Sequence, residues 1–234
     1  MVKVKFCGIR RTEDIEAVNR LQPDFAGFVF AKSQRQVTKE QAVALKEMLD
    51  PGIRTVAVLV NMPVEDAAAL ANTGIADLLQ LHGDEDAAYI AKLKTLTRAK
   101  IIKAIRLRNG DCPVQGGGKE AGASVNTENA RLLAEAVQAD YYLFDTFLSD
   151  TYGGTGKTFS LSLLNNLLID KPFFLAGGLD ADNVEEIIRK VQKDATLLPN
   201  FCGVDVSGGI ETDGVKDPIK MEAFMIAIRG KEKT

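Results

Sequence analysis

The sequence contains few of the residues on which several kinds of function depend. It has one histidine, no tryptophan and three cysteines among 234 residues. A single histidine leaves few routes to histidine-based metal sites or catalytic networks. Cys7, Cys112 and Cys202 are too few and too widely spaced for a disulfide framework or a zinc site, and they fit a reducing compartment. We therefore expect a cytoplasmic protein without a bound metal.

The chain also lacks an excess of positive charge and a long apolar run. Its 29 Lys and Arg residues oppose 32 Asp and Glu residues, and the net charge of −3 argues against a nucleic-acid-binding surface. No apolar run approaches the roughly 18 residues of a membrane span. Because the chain enters a strand at once, we also expect no signal peptide. With 46% hydrophobic residues, the composition indicates a globular protein with a substantial core.

The dominant pattern in the sequence is an alternation of apolar, β-rich runs with stretches of helical periodicity. Seven runs have an amphipathic stretch before the next run, and an eighth stretch closes the chain. Strands that alternate with single helices imply parallel pairing through right-handed crossovers. The strands are predicted near residues 2–6, 24–30, 53–60, 77–81, 100–105, 140–145, 172–176 and 201–206.

Polar residues and prolines predict where several helices begin. The first helix is predicted to start at Thr12. Thr38, with Gln41 three residues later, predicts a capping box at the second helix. Pro63 is predicted to open the third helix, and Asp217 with Pro218 precedes the last. Three more helices are predicted near residues 84–95, 124–138 and 181–191.

The number of repeated units distinguishes two parallel architectures. Eight units of about 29 residues match a closed (β/α)8 barrel. An open doubly wound sheet would normally carry phosphate-binding glycines after its first strand. Only Gly8 stands there, so the sequence favours a single barrel domain over residues 1–234. Residues 107–123 predict a long glycine-rich loop between the fifth strand and helix, either an active-site lid or a tolerated insertion.

The first strand ends in a cysteine that could be reactive. Alternation places Lys3, Lys5 and Cys7 on one face, and the two cations would favour the thiolate form of Cys7. The alternative is a buried cysteine that packs as a small hydrophobe.

Other polar side chains are predicted to meet Cys7 at the mouth of the barrel, where strand ends carry catalytic groups. Asp145 ends strand 6 and could act as a general acid, or it could anchor the following loop. Arg35, after strand 2, could bind a carboxylate at two points or be a solvated charge. His82, after strand 4, could orient a substrate, pair with Cys7 or be structural. Asp205 ends strand 8.

Glycine-rich turns follow strands 7 and 8, which are the usual phosphate-binding positions of this barrel. Gly177-Gly178 and Ser207-Gly208-Gly209 therefore predict a phosphorylated ligand, although ordinary tight turns are the alternative. Residues 151–158 nearly match the phosphate loop of nucleotide-binding proteins. The match fails at its first glycine, where Thr151 stands, and the segment starts too far beyond strand 6.

Taken together and in order, these motifs resemble the phosphoribosylanthranilate isomerase family of tryptophan biosynthesis. The resemblance implies a single barrel without cofactor or metal. It also implies the Amadori rearrangement of N-(5-phosphoribosyl)anthranilate. The matching stretches, which span nearly the whole chain, are residues 4–9, 26–30, 79–83, 144–146, 153–159, 176–179 and 204–207.

The resemblance also implies roles for individual residues. Cys7 would be the general base, Asp145 the general acid, and Arg35 the partner of the anthranilate carboxylate. Asp205 would contact or position a substrate hydroxyl, and His82 is a further candidate for substrate binding. The phosphate would be held by backbone amides around Gly154, Gly156, Gly178, Ser207 and Gly208.

Two other functions would use the same fold. The related histidine-pathway isomerase resembles this chain but uses an aspartate where Cys7 stands. A non-catalytic phosphate-binding barrel would keep the glycine turns and would not need both Cys7 and Asp145. In either case the expected partner is a small phosphorylated molecule, with neither nucleic acid nor membrane, bound by a monomer or homodimer.

Overall fold

Eight parallel strands form a closed barrel in the computed structural model, which describes residues 1–107, 127–145, 161–164 and 167–230. Each strand pairs with the next, and the eighth pairs with the first. The predicted (β/α)8 architecture is therefore confirmed. The strands are β1 Lys3–Cys7, β2 Phe25–Val29, β3 Arg54–Leu59, β4 Leu78–Leu81, β5 Lys100–Arg106, β6 Tyr141–Asp145, β7 Phe173–Ala176 and β8 Phe201–Val206.

Seven α-helices lie outside the barrel within the described ranges. As predicted, α1 begins at Thr12, and Thr38 and Gln41 form the capping box that starts α2. The described part of the β6–β7 connection contains a 3-10 helix, Leu161–Leu164, where an amphipathic helix was predicted. The helices are α1 Thr12–Leu21, α2 Lys39–Met48, α3 Val64–Asn72, α4 Ala87–Leu96, α5 Thr127–Glu135, α6 Val184–Lys193 and α7 Pro218–Arg229.

Two helix starts differ slightly from the prediction, and both differences have a local cause. Pro63 has a ψ angle of 138°, which is extended rather than helical. It is therefore the N-cap residue that precedes α3, and not the first residue of the helix. The acidic run before α4 stays outside the helix because the Asp86 side chain accepts a hydrogen bond from the Tyr89 amide and so becomes the N-cap.

Alternating side chains divide the core into two clusters. The larger lies between barrel and helices and includes Val4 and Phe6 of β1. The smaller fills the barrel interior, where the rings of Phe25 and Phe174 meet edge to face with centroids 5.6 Å apart. Lys5, two residues before Cys7, also faces inward, so apolar packing gives way to polar side chains toward the carboxyl ends of the strands.

The chain after β8 is held against the barrel mouth. A 3-10 helix, Gly208–Ile210, leads into a two-stranded hairpin, β9 Glu211–Thr212 and β10 Val215–Lys216, before α7. A Cβ atom at Gly209 would lie 1.9 Å from the carbonyl oxygen of Leu179, in the turn after β7. The turns after β7 and β8 therefore touch backbone to backbone, which only glycine permits at this position.

Two further predictions concern the loop after β5 and membrane-spanning segments. Apart from the buried Leu107, the predicted 107–123 loop lies outside the described residues. Among the residues that the structure describes, no helix is both long and apolar enough to span a membrane.

Replacing Gly209 by alanine should destabilise the fold because the new methyl group would overlap the Leu179 carbonyl. We expect Gly209→Ala to lower the free energy of unfolding by about 1–3 kcal/mol. Gly208→Ala is the matched control, since a Cβ there would come no closer than 3.9 Å to its nearest neighbour. Urea unfolding of both variants measures the difference, and equal losses would show that the contact between the turns is unimportant.

Candidate active site

A cavity of about 750 Å³ opens at the carboxyl ends of the strands. Its volume lies in the range of small-molecule binding sites. It collects eight of the ten residues predicted for the site, whereas Gly154, Gly156 and the segment 151–158 lie outside the described residues. The eight are Cys7, Arg35, His82, Asp145, Gly178, Asp205, Ser207 and Gly208.

Cys7 stands beside a buried ion pair. The Lys5 Nζ atom, fully buried, lies 2.9 and 3.0 Å from the two carboxylate oxygens of Asp205, its register partner on β8. Gly27 on β2 makes room for both side chains of β1. A Cβ at Gly27 would lie 3.1 Å from Cys7 Sγ and 3.3 Å from Lys5 Cε.

The charge state of Cys7 reflects a balance between burial and nearby charges. Burial raises the pKa of the Cys7 thiol, and Asp205 adds to this, while Lys5 and Lys216 lower it by less. Lys5 remains an ammonium ion because Asp205 and Cys7 outweigh its burial and raise its pKa. Lys3, the second predicted cation, acts instead on Cys202. Lys5 therefore favours the thiolate, as predicted, but burial outweighs it and keeps Cys7 mainly in the thiol form.

Asp145 lies next to a histidine that is itself hydrogen bonded. His82 Nε2 is 3.4 Å from Asp145 Oδ2, and both side chains are about one quarter exposed. On its other side, His82 Nδ1 is 3.0 Å from the Nε2 atom of Gln80, a buried residue of β4. The structure thus pairs His82 with Asp145 and Gln80, which leaves Cys7 with Lys5.

The guanidinium group of Arg35 forms two hydrogen bonds with a carboxylate group. Its Nε and Nη2 atoms donate to the two oxygens of Glu211 at 2.7 and 2.6 Å. Lys216, in β10, donates to the same carboxylate at 2.6 Å and to the Ser207 carbonyl at 3.0 Å. Although burial would raise the pKa of Glu211, hydrogen bonds from Arg35 and Lys216 lower it to about 2. Glu211 is therefore an anion between two cations at neutral pH.

The glycine turns border the same cavity on the side of β7 and β8. Gly177 and Gly178 have positive φ angles of 94° and 65°, a backbone conformation that L side chains rarely adopt. The Asn183 side chain donates to the Gly178 carbonyl at 2.8 Å and so ties this turn to the start of α6. The turn after β8 is fixed by the Ser207 hydroxyl, which donates to the Cys7 carbonyl at 3.0 Å. Side-chain hydrogen bonds thus hold both turns in place at the edge of the cavity.

Comparisons with a family model, with related sequences and with solved structures all indicate one protein family. Residues 4–227 match the family model described as N-(5'phosphoribosyl)anthranilate (PRA) isomerase. The chain belongs to this isomerase family. It is 44% identical over 230 residues to the N-(5'-phosphoribosyl)anthranilate isomerase of Thermoanaerobacter sp. (strain X514), with 98% of this chain and 99% of the relative covered.

Solved structures of the isomerase family share the fold. One, a phosphoribosyl anthranilate isomerase in complex with reduced 1-(o-carboxyphenylamino)-1-deoxyribulose 5-phosphate, is 26% identical with a TM-score of 0.74 and covers 98% and 100% of the two chains. Another contains monomers generated from the dimeric isomerase of Thermotoga maritima. It is 27% identical, with a TM-score of 0.70, over 98% and 100% of the chains. The predicted family and isomerase activity in tryptophan biosynthesis are thereby confirmed.

Two residues beside this site did not emerge from sequence reasoning: Glu211 and Lys216. Gln80 can be recognised from the sequence as a residue at the end of strand 4, but not as the partner of His82. Glu211 follows the glycine turn after β8, and Lys216 follows five residues later. The contact of Glu211 with Arg35 joins residues 176 positions apart, so no local pattern in the sequence indicates it.

The Glu211 carboxylate should make stability depend on acidic pH. Its folded-state pKa of about 2 lies below the ordinary value of 4.5, so its contribution is complete above pH 4.5 and is lost as the pH falls toward 2. We expect a net loss of about 1–3 kcal/mol over this range in the wild type, and much less in Glu211→Gln.

Urea unfolding at several pH values between 3 and 6 measures this dependence. Glu186→Gln serves as the control, because Glu186 forms an exposed pair with Lys190 on α6 and such pairs contribute little. An acid dependence that is the same in Glu211→Gln and in the wild type would contradict the assignment.

Proposed function

We propose that the chain carries out its family's rearrangement of N-(5-phosphoribosyl)anthranilate to 1-(2-carboxyphenylamino)-1-deoxyribulose 5-phosphate with Cys7 as general base and Asp145 as general acid. The observation that supports these roles is the placement of both groups in one cavity, on strands that are not neighbours. Cys7 ends β1 and Asp145 ends β6, with two strands between them on one side of the barrel and four on the other. An acid and a base can therefore act on different sides of one small sugar.

The reaction needs one proton delivered and one removed. Asp145 gives a proton to the furanose ring oxygen, and the C1–O bond breaks as the nitrogen lone pair forms a C=N bond. The resulting iminium ion makes the proton on C2 acidic, and the Cys7 thiolate removes it to give an enolamine. The enolamine then tautomerises to the ketone. Electrons move only within the substrate, so we propose that no redox cofactor takes part.

Lys5 has a defined part in the base step. Because burial raises the pKa of Cys7, the thiol is its dominant form, and the thiolate must form before it can accept a proton. The buried Lys5 ammonium ion is the group that most strongly lowers the pKa of this thiol. Because it is fixed by Asp205, it can stabilise the thiolate without having to move.

The remaining contacts would orient the substrate. Glu211 uses the Nε and Nη2 edge of Arg35, and no acceptor among the described residues contacts Nη1. The edge formed by Nη1 and Nη2 is thus left for a two-point interaction with the anthranilate carboxylate. The turns after β7 and β8 would bind the phosphate, and Asp205 and His82 would contact or position the sugar. The substrate analogue bound to a solved relative carries the same three groups: a carboxylated ring, a sugar chain and a phosphate.

Two features of the biological setting are also proposals. A cytoplasmic location fits a biosynthetic enzyme and free cysteines. Monomer and homodimer both remain predictions, since one solved relative is described as dimeric and was also obtained as monomers.

Substitution of the acid or the base should reduce turnover much more than binding. We expect Cys7→Ser and Asp145→Asn each to lower kcat by at least about 100-fold with a small change in KM, because both groups act in the transition state. A fluorescence assay of phosphoribosylanthranilate consumption measures this, and Cys202→Ser, which lies outside the cavity, is the control. Near-normal turnover in either variant would refute its assigned role. Turnover of the histidine-pathway aminoaldose by the wild type would favour the related isomerase instead.

Removal of Arg35 should mainly weaken substrate binding. We expect Arg35→Ala to raise KM by about 10-fold or more, because a charge-assisted two-point contact is lost. Inhibition by inorganic phosphate distinguishes the two anionic groups of the substrate. If Arg35 binds the carboxylate, the inhibition constant for phosphate should stay close to the wild-type value. A parallel loss of phosphate inhibition would place Arg35 at the phosphate instead.

A further inference from the structure

We propose that Gln80 is a positioning residue that keeps His82 neutral, with its hydrogen on Nε2, so that Asp145 can hold and release the catalytic proton. The proposal rests on the proposed role of Asp145 as the general acid. It gives a function to a buried amide that the reaction scheme does not otherwise use.

The geometry determines which nitrogen of His82 carries the hydrogen. Gln80 directs its Nε2 amide, which can only donate, at His82 Nδ1 over 3.0 Å. Nδ1 must then be an acceptor, which places the imidazole hydrogen on Nε2. That nitrogen is 3.4 Å from Asp145 Oδ2, so the hydrogen is directed at the carboxyl group.

The oxygen atom of the Gln80 amide indicates that this side chain does not contribute to the stability of the fold. The Oε1 atom is buried and has no hydrogen-bond partner in the part of the chain that the structure describes, and Gln80 as a whole is 1% exposed. A buried acceptor without a partner destabilises a fold, and a nonpolar side chain of similar shape would avoid this cost. Among the described residues, the side chain of Gln80 hydrogen bonds only to His82, which indicates that this bond is the reason for the amide.

The consequence for catalysis follows from the charge of the imidazole. An imidazolium ion would carry a hydrogen on Nδ1 that points at the donor group of Gln80. Two donors would then face each other, which disfavours this ion. If it did form, it would pair with Asp145 and hold that residue as a carboxylate, which has no proton to give. With neutral His82, Asp145 can transfer its proton to the ring oxygen. The Nε2 hydrogen then stabilises the carboxylate that remains, and the proton gained by Cys7 balances the one lost by Asp145.

Charged groups from the neighbouring elements lie around His82. On β6, Asp145 faces its Nε2 atom. On β5, the Nη2 atom of Arg106 donates to the His82 carbonyl oxygen at 2.5 Å. The nearby Lys103 and Glu85, 2.9 Å apart, form a buried pair of opposite charges. The side chains that line the cavity at the end of β3, Val58 and Val60, are apolar. Gln80 is the neutral group that decides the position of the hydrogen.

The test uses the fact that His82 is the only histidine in the chain. Nitrogen-15 NMR of the imidazole in the substrate-free protein reports its tautomer and charge without overlap from other histidines. At neutral pH we expect the neutral form with hydrogen on Nε2. A hydrogen on Nδ1, or an imidazolium ion, in the wild type would overturn the proposal.

Two variants of Gln80 link the imidazole to turnover. Gln80→Glu presents an acceptor to Nδ1, so we expect imidazolium to accumulate at neutral pH and kcat to fall at least about 10-fold with KM changed less than about three-fold. Gln80→Met keeps the approximate volume without a donor. We expect it to mix the two neutral tautomers, to lower kcat, and to leave the Tm equal to or above that of the wild type.

The outcomes separate this proposal from the proposed function. Reduced kcat in the Gln80 variants with an unchanged imidazole spectrum would refute the role of Gln80, and so would altered spectra with normal kcat. Normal turnover in Asp145→Asn would instead refute the acid assignment, whatever the tautomer of His82. A lower Tm in Gln80→Met would show that the amide serves stability.

Discussion

Lys5 and Asp205 face each other where the first and last strands of the barrel pair, and both charges are buried. Removing either charge alone would leave the other without a partner in a medium of low polarity, which is strongly destabilising. A slip of one residue between β1 and β8 would turn Lys5 toward the apolar layer under the helices. The pair therefore penalises incorrect closure of the barrel. In the correct register it also fixes a buried ammonium ion two residues before Cys7, so closure of the barrel and the environment of this thiol depend on the same contact.

Most of the fold could be predicted because its determinants are local. All eight strands lie within a residue or two of the predicted limits, since each is an apolar run ended by polar or glycine residues. The α2 start at Thr38 was predicted from a capping box whose two bonds span three residues. Pro63 and the acidic run before α4 were displaced by one turn or less, because only the side-chain geometry shows which residue is the cap.

The sequence could predict which residues meet at the site, but not their charge states or all of their contacts. Strand ends share one edge of a barrel, so Cys7, Asp145 and Arg35 could be expected at one mouth. The thiol form of Cys7 could not, because it results from a balance between burial and Lys5 that only the packed interior determines. Likewise, the contact of Arg35 with Glu211 connects distant segments, and nothing in either segment alone indicates it.

The contact between Gly209 and the Leu179 carbonyl has a further consequence for ligand discrimination. Two turns in van der Waals contact lose their conformational freedom when the chain folds, rather than when a phosphate arrives. In the proposed function, a phosphorylated ligand would then gain the full benefit of amides that are already ordered. A dephosphorylated analogue would leave those amides without a partner and recover no entropy in exchange. The proposed selectivity for a phosphate at this end of the cavity would thus be established at the folding step, before any substrate is present.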